Sequence, residues 1–370
     1  MSVVTVHLIA AARPNFMKVA PLYHALKAQS DWCAVKLVHT GQHYDPEMSD
    51  AFFADLMLPA PDFHLGVGSG THAEQTAGVM VAYEKVCLES RPDWVIVVGD
   101  VNSTAACSLV CAKLCIPVVH LEAGLRSRDR TMPEEINRLV TDALASVLWT
   151  PSPDADENLR AEGIPADRIE RIGNVMIDSY EMLRPRIEAD GTRAGLGLEP
   201  RSYAVITLHR PVNVDTAEAL SGLVRELVAA SSVLPIVFPV HPRTRARLKE
   251  FDLMESLSAA PGIRLVAPLP YIAFMNLVTS AAMVVTDSGG VQEETTYLGI
   301  PCRTVRESTE RPITVTEGSN ELIKPGQIYS SVVSLARAER QQARRRPELW
   351  DGHAARRAAE SLRRRCFGTA

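Results

Sequence analysis

The sequence predicts an α/β fold of two Rossmann-like, doubly wound parallel-sheet domains with a ligand cleft between them. Short apolar, β-branched runs alternate with helical patterns, as βαβ units do. A polar, glycine-containing stretch at 191–200 interrupts this alternation, which then restarts. The chain has 370 residues, too many for one ordinary domain and suitable for two.

Composition excludes several classes of protein. Apolar residues make up 46% and charged residues 22% of the chain, which is typical of a folded globular protein. The net charge of −5 argues against a nucleic-acid partner, which needs a basic surface. No apolar run reaches the roughly 18 residues of a membrane span. Seven scattered cysteines indicate a reducing compartment, so we expect a cytoplasmic protein with no membrane partner.

The first domain is predicted to cover residues 1–173. Its strands are apolar runs, and its helices follow them in alternation. The predicted strands are Val3–Ala10, Val35–Thr40, Trp94–Val98, Pro117–His120 and a run that includes Leu148–Thr150. Its predicted helices are Val19–Leu26, His72–Glu89, one that starts at Ser103 and Thr104, one that opens at Met132, and Asp154–Glu162. The helix Met176–Ile187 is expected to cross into the second domain.

Charged side chains follow the strand ends of this domain. Arg13 and Lys18 lie beside the first helix start, where two cations could hold a diphosphate; two surface cations are the alternative. Asp100 and Glu122 follow two strands, and Glu134 opens a helix. Asp100 alone could be a helix cap, and Glu134 alone could serve only the helix dipole. Because the ends of parallel strands meet at one edge of the sheet, the three together predict carboxylates that converge at one crevice.

The second domain is predicted to cover residues 174–350. Its predicted strands are Tyr203–Thr207, Pro235–Val240, Ile263–Ala267 and Met283–Thr286. Its predicted helices are Thr216–Ser231, Thr244–Leu257, Tyr271–Thr279 and Gln292–Gly299.

The stretch Val284–Thr295 is the strongest candidate for a nucleotide diphosphate site. A strand leads through Ser288, Gly289 and Gly290 into a helix, whose free N–H groups and dipole favour an anion. Glu294 is suited to accept hydrogen bonds from sugar hydroxyls such as those of a ribose. An ordinary strand–turn–helix connection is the alternative.

Further cations and histidines support that site. His209 and Arg210 follow one predicted strand, and His241 follows another, so an anion-binding or acid/base role gains weight over a structural one. Arg311 is a further candidate cation for phosphate.

These motifs together resemble the non-hydrolysing UDP-N-acetylglucosamine 2-epimerases. The matching stretches are Arg13–Leu22, Gly41–Tyr44, Gly99-Asp100, His120–Arg126, Met132–Arg138, Ile172–Asn174, Leu208–Arg210, Pro239–Pro242, Asp287–Glu294 and Thr309–Pro312. The segment that begins at Asp351 looks like the family's closing helix, so residues 351–370 are expected to return to the first domain.

The resemblance implies a GT-B-like fold and interconversion of UDP-GlcNAc and UDP-ManNAc. UDP is eliminated to a glycal-type intermediate and added back after the other face of C2 is protonated. Carried over by motif, Asp100, Glu122 and Glu134 are the acid/base carboxylates and His209 contacts the leaving phosphate. The UDP-sugar-binding residues implied are Arg13, Lys18, His43, Arg138, Arg210, His241, Phe274, Ser288, Gly289, Gly290, Glu294 and Arg311.

One departure concerns activation by a second substrate molecule. Relatives carry a cation after the glutamine–histidine pair that binds an activating UDP-GlcNAc, whereas this chain reads Gln42-His43-Tyr44-Asp45. The loss of a cation and gain of Asp45 predict weak or absent activation, although His43 is still expected to line the cleft.

Other functions stay open at this point. They are epimerisation of a related, C6-oxidised UDP-2-acetamido sugar, a hydrolysing epimerase that releases UDP, and a GT-B glycosyltransferase. The resemblance implies no metal or other cofactor, a UDP-N-acetylhexosamine substrate, a homodimer and a place in polysaccharide biosynthesis.

Overall fold

The structure is a computed structural model that describes residues 3–11, 13–41, 53, 55–337 and 346–368, with the backbone alone of Arg13, Pro14 and Arg337. The chain forms two compact units. The first unit comprises Met1–Met182 and Glu348–Ala370, and the second comprises Leu183–Pro347. The first unit is therefore built from both ends of the chain.

The first unit contains a parallel sheet of seven described strands in the order β3-β2-β1-β4-β5-β6-β7. The strands are β1 (Val4–Ala10), β2 (Cys33–His39), β3 (Phe63–His64), β4 (Trp94–Val98), β5 (Val118–Leu121), β6 (Val147–Thr150) and β7 (Ile169–Arg171). The helices are α1 (Arg13–Lys27), α2 (His72–Glu89), α3 (Asn102–Lys113), α4 (Pro133–Leu144), α5 (Pro153–Ala161) and α6 (Val175–Ala189), which continues into the second unit.

The second unit contains a parallel sheet of six described strands in the order β10-β9-β8-β11-β12-β13. The strands are β8 (Ala204–Thr207), β9 (Ile236–Pro239), β10 (Ile263–Val266), β11 (Met283–Thr286), β12 (Cys302–Val305) and β13 (Asn320–Ile323). The helices are α7 (Thr192–Gly195), α8 (Pro211–Val214), α9 (Ala217–Ser231), α10 (Pro242–Glu250), α11 (Met254–Ser258), α12 (Tyr271–Thr279), α13 (Gly289–Leu298), α14 (Ile313–Thr316) and α15 (Ile328–Arg337).

Central strands of both sheets are apolar along their whole length rather than alternating, as expected for parallel strands that are buried on both faces. In β11 all four residues are buried, and in β4 only Trp94 is partly exposed. The two-sheet, doubly wound part of the prediction is confirmed. The cleft between the domains stays a prediction.

Helix α16 (Ala354–Phe367) returns the chain to the first unit, as the resemblance implies. Its alanine- and leucine-bearing face is buried, while most of its arginines are exposed. Asp178 of α6 accepts hydrogen bonds from the N–H groups of Ala354 and Ala355 at 3.1 and 2.7 Å, which satisfies two free donors at the start of α16. Among the described residues, no helix is both long and apolar enough to cross a membrane.

The predicted helix 244–257 is wrong, because the structure divides it into α10 and α11. Asp252 has a φ of 55°, and the N–H of Leu253 bonds the carbonyl of Leu248 at 2.9 Å. This is a Schellman ending, which a glycine usually signals and which here uses an aspartate.

The predicted helix 292–299 begins earlier, at Gly289, so Gly289 and Gly290 form its first turn rather than a preceding loop. The polar stretch 191–200, which interrupts the alternation in the sequence, also has regular structure. It contains α7, and the N–H of Arg193 bonds Asn276 of α12 at 2.9 Å.

Candidate active site

Several predicted site residues follow the strands at which the order of each sheet reverses. In each sheet the order reverses between two neighbouring strands, β1 and β4 in the first unit and β8 and β11 in the second. Ligands of open α/β sheets bind outside the carboxyl ends of strands at such a switch point. Lys18 and Asp100 follow β1 and β4, and His209 and Ser288 follow β8 and β11.

In the first unit, the ammonium group of Lys18 pairs directly with the carboxylate of Glu122. Both residues are more than nine-tenths buried, and Oε1 of Glu122 has no hydrogen-bond partner among the described residues. Glu122 also has a φ of 69°, an uncommon backbone conformation for a residue with a side chain. The second oxygen of a buried, cation-paired carboxylate is thus available to a ligand.

Gly99 lies against this pair. Its φ is also 69°, and a Cβ at that position would lie 3.6 Å from Oε2 of Glu122 and 3.7 Å from Nζ of Lys18. The N–H of Gly99 bonds the carbonyl of Leu121 at 3.0 Å, which ties the end of β4 to the end of β5. Asp100 is the next residue of the chain, so it follows directly after a residue that lies against the Lys18–Glu122 pair.

Asp100 is held by Arg138 of α4. Nη2 of Arg138 lies 2.5 Å from Oδ2 of Asp100, while Nη1 lies 2.8 Å from Glu135. About a third of the Asp100 side chain is exposed, so it remains open to solvent or ligand. Glu134 is partly buried and lies one helical turn before Arg138, on the same face of α4. The structure thus pairs Glu122 with Lys18 and Asp100 with Arg138, and it places Glu134 on the same face of α4 as Arg138.

In the second unit, His209 is oriented by Asp287. The carboxylate of Asp287 lies 2.9 Å from Nδ1 of His209 and accepts the N–H groups of His209 and Arg210 and the amide of Asn213. Burial alone would raise the pKa of Asp287, but these donors hold it below its usual range. An ionised Asp287 fixes a proton on Nδ1 of His209, so Nε2 is the nitrogen left for a ligand.

His241 lies beside His209, with the two ring centroids 5.2 Å apart. Nδ1 of His241 accepts the N–H of Arg243 at 3.2 Å and caps helix α10. Burial and the neighbouring His209 lower the pKa of His241. Its structural role as a cap is therefore clear, and its substrate-binding role stays a prediction.

Gly289, the first residue of α13, packs closely against Arg311. A Cβ on Gly289 would lie 2.8 Å from Nη1 of Arg311 and 3.0 Å from Oε1 of Glu310. Arg311 pairs with Glu310 and lies 2.9 Å from Oε1 of Glu293. Burial alone would raise the pKa of Glu310, but Arg311 and Arg306 hold it well below its usual range. A guanidinium is thereby anchored at the helix N-terminus where an anion was predicted.

Glu294 is buried on α13 and accepts a hydrogen bond from the hydroxyl of Tyr271 at 2.7 Å. Burial, partly offset by Tyr271 and reinforced by Glu293, raises the pKa of Glu294 to about 8. Phe274, three residues after Tyr271 on α12, is partly buried. The hydroxyl-binding role of Glu294 and the uracil-binding role of Phe274 stay predictions.

Two predicted binding groups lie outside the described part of the protein: the side chain of Arg13 and the whole of His43. Arg210 is described, and its Nε donates to the carbonyl of Asp287 at 2.9 Å. Among the described residues, no three His, Cys, Asp or Glu side chains are grouped so as to hold a metal ion.

Three residues that contact predicted site residues were not identified from the sequence. Asp287, Glu310 and Tyr271 were not singled out, although each contacts a predicted site residue. Asp287 carried a usable signal, because it is an acid directly after an apolar strand and before Ser288. Tyr271 carried none, since its contact with Glu294 depends on how α12 packs beside α13.

Comparisons with known proteins show which proteins this chain resembles. A family model described as UDP-N-acetylglucosamine 2-epimerase matches residues 24–363. The UDP-N-acetylglucosamine 2-epimerase of Methanocaldococcus jannaschii is 42% identical over 322 residues, 85% of this chain and 87% of the relative. The crystal structure of the M. jannaschii enzyme with UDP-GlcNAc and UDP has a TM-score of 0.86 and 38% identity, and the match covers 97% of this chain and 99% of that one.

A relative with a different substrate in its name is nearly as similar. The UDP-2,3-diacetamido-2,3-dideoxy-D-glucuronate 2-epimerase of Pseudomonas aeruginosa is 38% identical over 333 residues, 89% of this chain and 90% of the relative.

Proposed function

Because the chain belongs to the UDP-N-acetylglucosamine 2-epimerase family, we propose that it interconverts UDP-GlcNAc and UDP-ManNAc. The observation that carries this proposal is the cation-paired set of carboxylates at the switch point of the first unit. Lys18 pairs with Glu122, and Arg138 pairs with Asp100. A glycosyl transfer site usually needs a single base, so it leaves this set unexplained.

The proposed reaction has two halves. A carboxylate removes the C2 proton, the C2–H electron pair forms a C1–C2 double bond, and the C1–O electron pair leaves with UDP. UDP then attacks C1 of the glycal while a second group protonates C2 on the opposite face. We assign these proton transfers to Asp100, Glu122 and Glu134. Paired cations suit this work, because they offset the charges of carboxylates that are removed from water.

We assign the nucleotide contacts to the second unit. Charge that develops on the leaving UDP would be stabilised by the free N–H groups at the start of α13, by Arg311 and by Nε2 of His209. Glu294 would accept the ribose hydroxyls. The support for this assignment is the position of His209 and α13 at the β8/β11 switch point.

An isotope experiment tests the proposal. Incubation with UDP-GlcNAc in D₂O, followed by NMR, is expected to place deuterium at C2 of both epimers. Accumulation of free UDP instead would identify a hydrolysing epimerase, and turnover that requires a sugar acceptor would identify a glycosyltransferase. No exchange and no UDP-ManNAc would refute the proposal.

A C6-oxidised substrate is the second candidate, because the P. aeruginosa relative is almost as similar as the M. jannaschii enzyme. The two are separated by kcat/KM for UDP-GlcNAc and for a UDP-2-acetamido uronate under the same conditions. A higher kcat/KM for the uronate would replace the first candidate by the second.

A homodimer and a role in polysaccharide biosynthesis remain predictions supported by the family resemblance, and a cytoplasmic location remains a prediction from the scattered cysteines. Sedimentation velocity tests the first of them, with a species of twice the 40.4 kDa chain mass as the expected result.

A further inference from the structure

A buried histidine–aspartate pair lies behind the two turns that carry Asp100 and Glu122. His120 is the third residue of β5 and is fully buried. Its Nε2 lies 2.8 Å from the carbonyl oxygen of Gly99, and its Nδ1 lies 2.6 Å from Oδ1 of Asp142. His120 therefore reaches from its own strand to the backbone immediately before Asp100.

Asp142 extends the connection to the other turn. Its Oδ2 accepts the N–H of Gly124 at 3.1 Å, two residues after Glu122. The same oxygen lies 2.7 Å from Nη2 of Arg126, and Arg126 in turn binds both oxygens of Glu162. One ring and one carboxylate thus join the turn after β4 to the turn after β5.

The hydrogen positions follow from the partners. A carbonyl oxygen can only accept, so Nε2 of His120 carries a proton that it donates to Gly99. Burial alone would raise the pKa of Asp142, but His120 and Arg126 hold it below its usual range, so its carboxylate also only accepts. Nδ1 of His120 also faces an acceptor, so each ring nitrogen lies against an oxygen atom that can accept a hydrogen bond.

Both of the joined turns have restricted backbones. Gly99 and Gly124 have φ values of 69° and 80°, and Glu122 between them has a φ of 69°. A Cβ on Gly124 would lie 2.4 Å from the carbonyl oxygen of Ala155, so this turn cannot shift towards α5. Left-handed conformations in residues with a side chain persist only where the surroundings enforce them. The His120–Asp142 pair is such a constraint.

We propose that His120 and Asp142 are positioning residues for the epimerase reaction, which set the placement of Asp100 relative to Glu122. The inference rests on the proposed function. Neither side chain is expected to touch the sugar, since both are at most 1% exposed. Loss of the pair should let the turn at Gly99 shift, and a displacement on the order of 1 Å at reacting groups can cost about 10²-fold in rate.

The test uses three variants of the full-length enzyme. His120→Asn retains an N–H near the position of Nδ1 and loses the donor to Gly99. His120→Gln retains a donor near the position of Nε2 and loses the contact with Asp142. Asp142→Asn is isosteric and removes the charge. Asp178→Asn is the matched control, because Asp178 is also a buried carboxylate that accepts two backbone N–H groups.

We expect kcat for UDP-GlcNAc to fall about 10²-fold in His120→Asn and Asp142→Asn, while KM stays near the wild-type value. His120→Gln should lose less activity than His120→Asn, because it retains a donor to Gly99, although it also loses the contact with Asp142. The fraction of turnovers that end in free UDP and glycal should rise, because reprotonation of C2 is misaligned. Asp178→Asn should lower the melting temperature and leave kcat and the UDP fraction unchanged.

A folded His120→Asn with wild-type kcat and an unchanged UDP fraction overturns the inference. If the His120 variants do not fold, Asp142→Asn decides by the same two measurements. An inactive wild-type enzyme, on UDP-GlcNAc and on the C6-oxidised analogue, refutes the proposed function and this inference with it. An active wild type with fully active variants refutes the inference alone.

Discussion

Gly289 leaves the space that the guanidinium of Arg311 occupies, since a Cβ there would lie 2.8 Å from Nη1. Arg311 cannot simply swing away, because Glu310 and Glu293 hold it from two sides. The absence of a side chain at Gly289 thus serves the placement of a cation as well as the approach of an anion to α13.

Gly289→Ala is expected to weaken UDP binding by displacing Arg311. The predicted loss is about 10-fold in the Kd for UDP, near 1.4 kcal/mol, measured by isothermal titration calorimetry. Gly222→Ala is the matched control in α9, where a Cβ would meet only Arg225 Nη2 at 3.9 Å. That substitution should stabilise the fold by roughly 0.5–1 kcal/mol and leave the Kd unchanged. Equal Kd values for the two variants would contradict the prediction.

Asp100→Asn and Glu122→Gln should each lower kcat by more than about 10²-fold, as removal of an acid/base group does. Deuterium incorporation at C2, followed by NMR in D₂O, measures the loss. Glu360→Gln is the control in the same unit, because Glu360 forms only an exposed pair with Arg356. Near-wild-type exchange in either site variant would remove that residue from the mechanism.

Asp287→Asn should disturb the orientation of His209. The substitution leaves backbone N–H groups of His209 and Arg210 facing an amide that can both donate and accept, which costs about 1–3 kcal/mol of unfolding free energy. We expect kcat to fall along with urea-unfolding stability. Asp215→Asn, which breaks only the ion pairs with Arg243 and Arg247 near the surface, should change neither by much. A fully active Asp287→Asn enzyme would show that His209 needs no orienting partner.

Glu294 should make stability depend on pH. Its pKa is raised from 4.5 to about 8 in the folded state, so the folded protein holds a proton that the unfolded chain has released between these values. The resulting stabilisation is complete below pH 4.5 and is lost as pH rises towards 8. Melting temperatures from pH 5 to 9 should therefore fall more steeply for the wild type than for Glu294→Gln. Parallel curves would mean that Glu294 ionises normally.

Substrate activation is expected to be weak or absent, because Gln42-His43-Tyr44-Asp45 lacks the cation found in activated relatives. The rate should depend hyperbolically on UDP-GlcNAc, and UDP-ManNAc alone should be converted. Sigmoidal kinetics, or a requirement for added UDP-GlcNAc in the reverse direction, would contradict this.

The features that the sequence predicted correctly are local ones. Apolar runs such as Trp94–Val98 and Met283–Thr286 identify buried parallel strands, and their ends identify the positions of Asp100 and Ser288. The contacts between site residues that are distant in the sequence could not be predicted. Lys18 and Glu122 are separated by 104 residues, and their pairing depends on the tertiary structure that brings α1 to the turn after β5. The end of α10 was missed for another reason, since Asp252 fills a position where glycine is the usual signal.

Because helix α16 belongs to the first unit, the two units have their complete sequences at different times during synthesis. The second unit, Leu183–Pro347, is translated in full before the final stretch of the chain. The first unit must wait for that stretch, because the indole N–H of Trp149 bonds Ser361 at 2.8 Å and Asp178 receives its donors from Ala354 and Ala355. During synthesis, the second unit therefore has its whole sequence before the first unit does. A premature stop codon before residue 348 would leave the first unit, which carries Asp100 and Glu122, without helix α16.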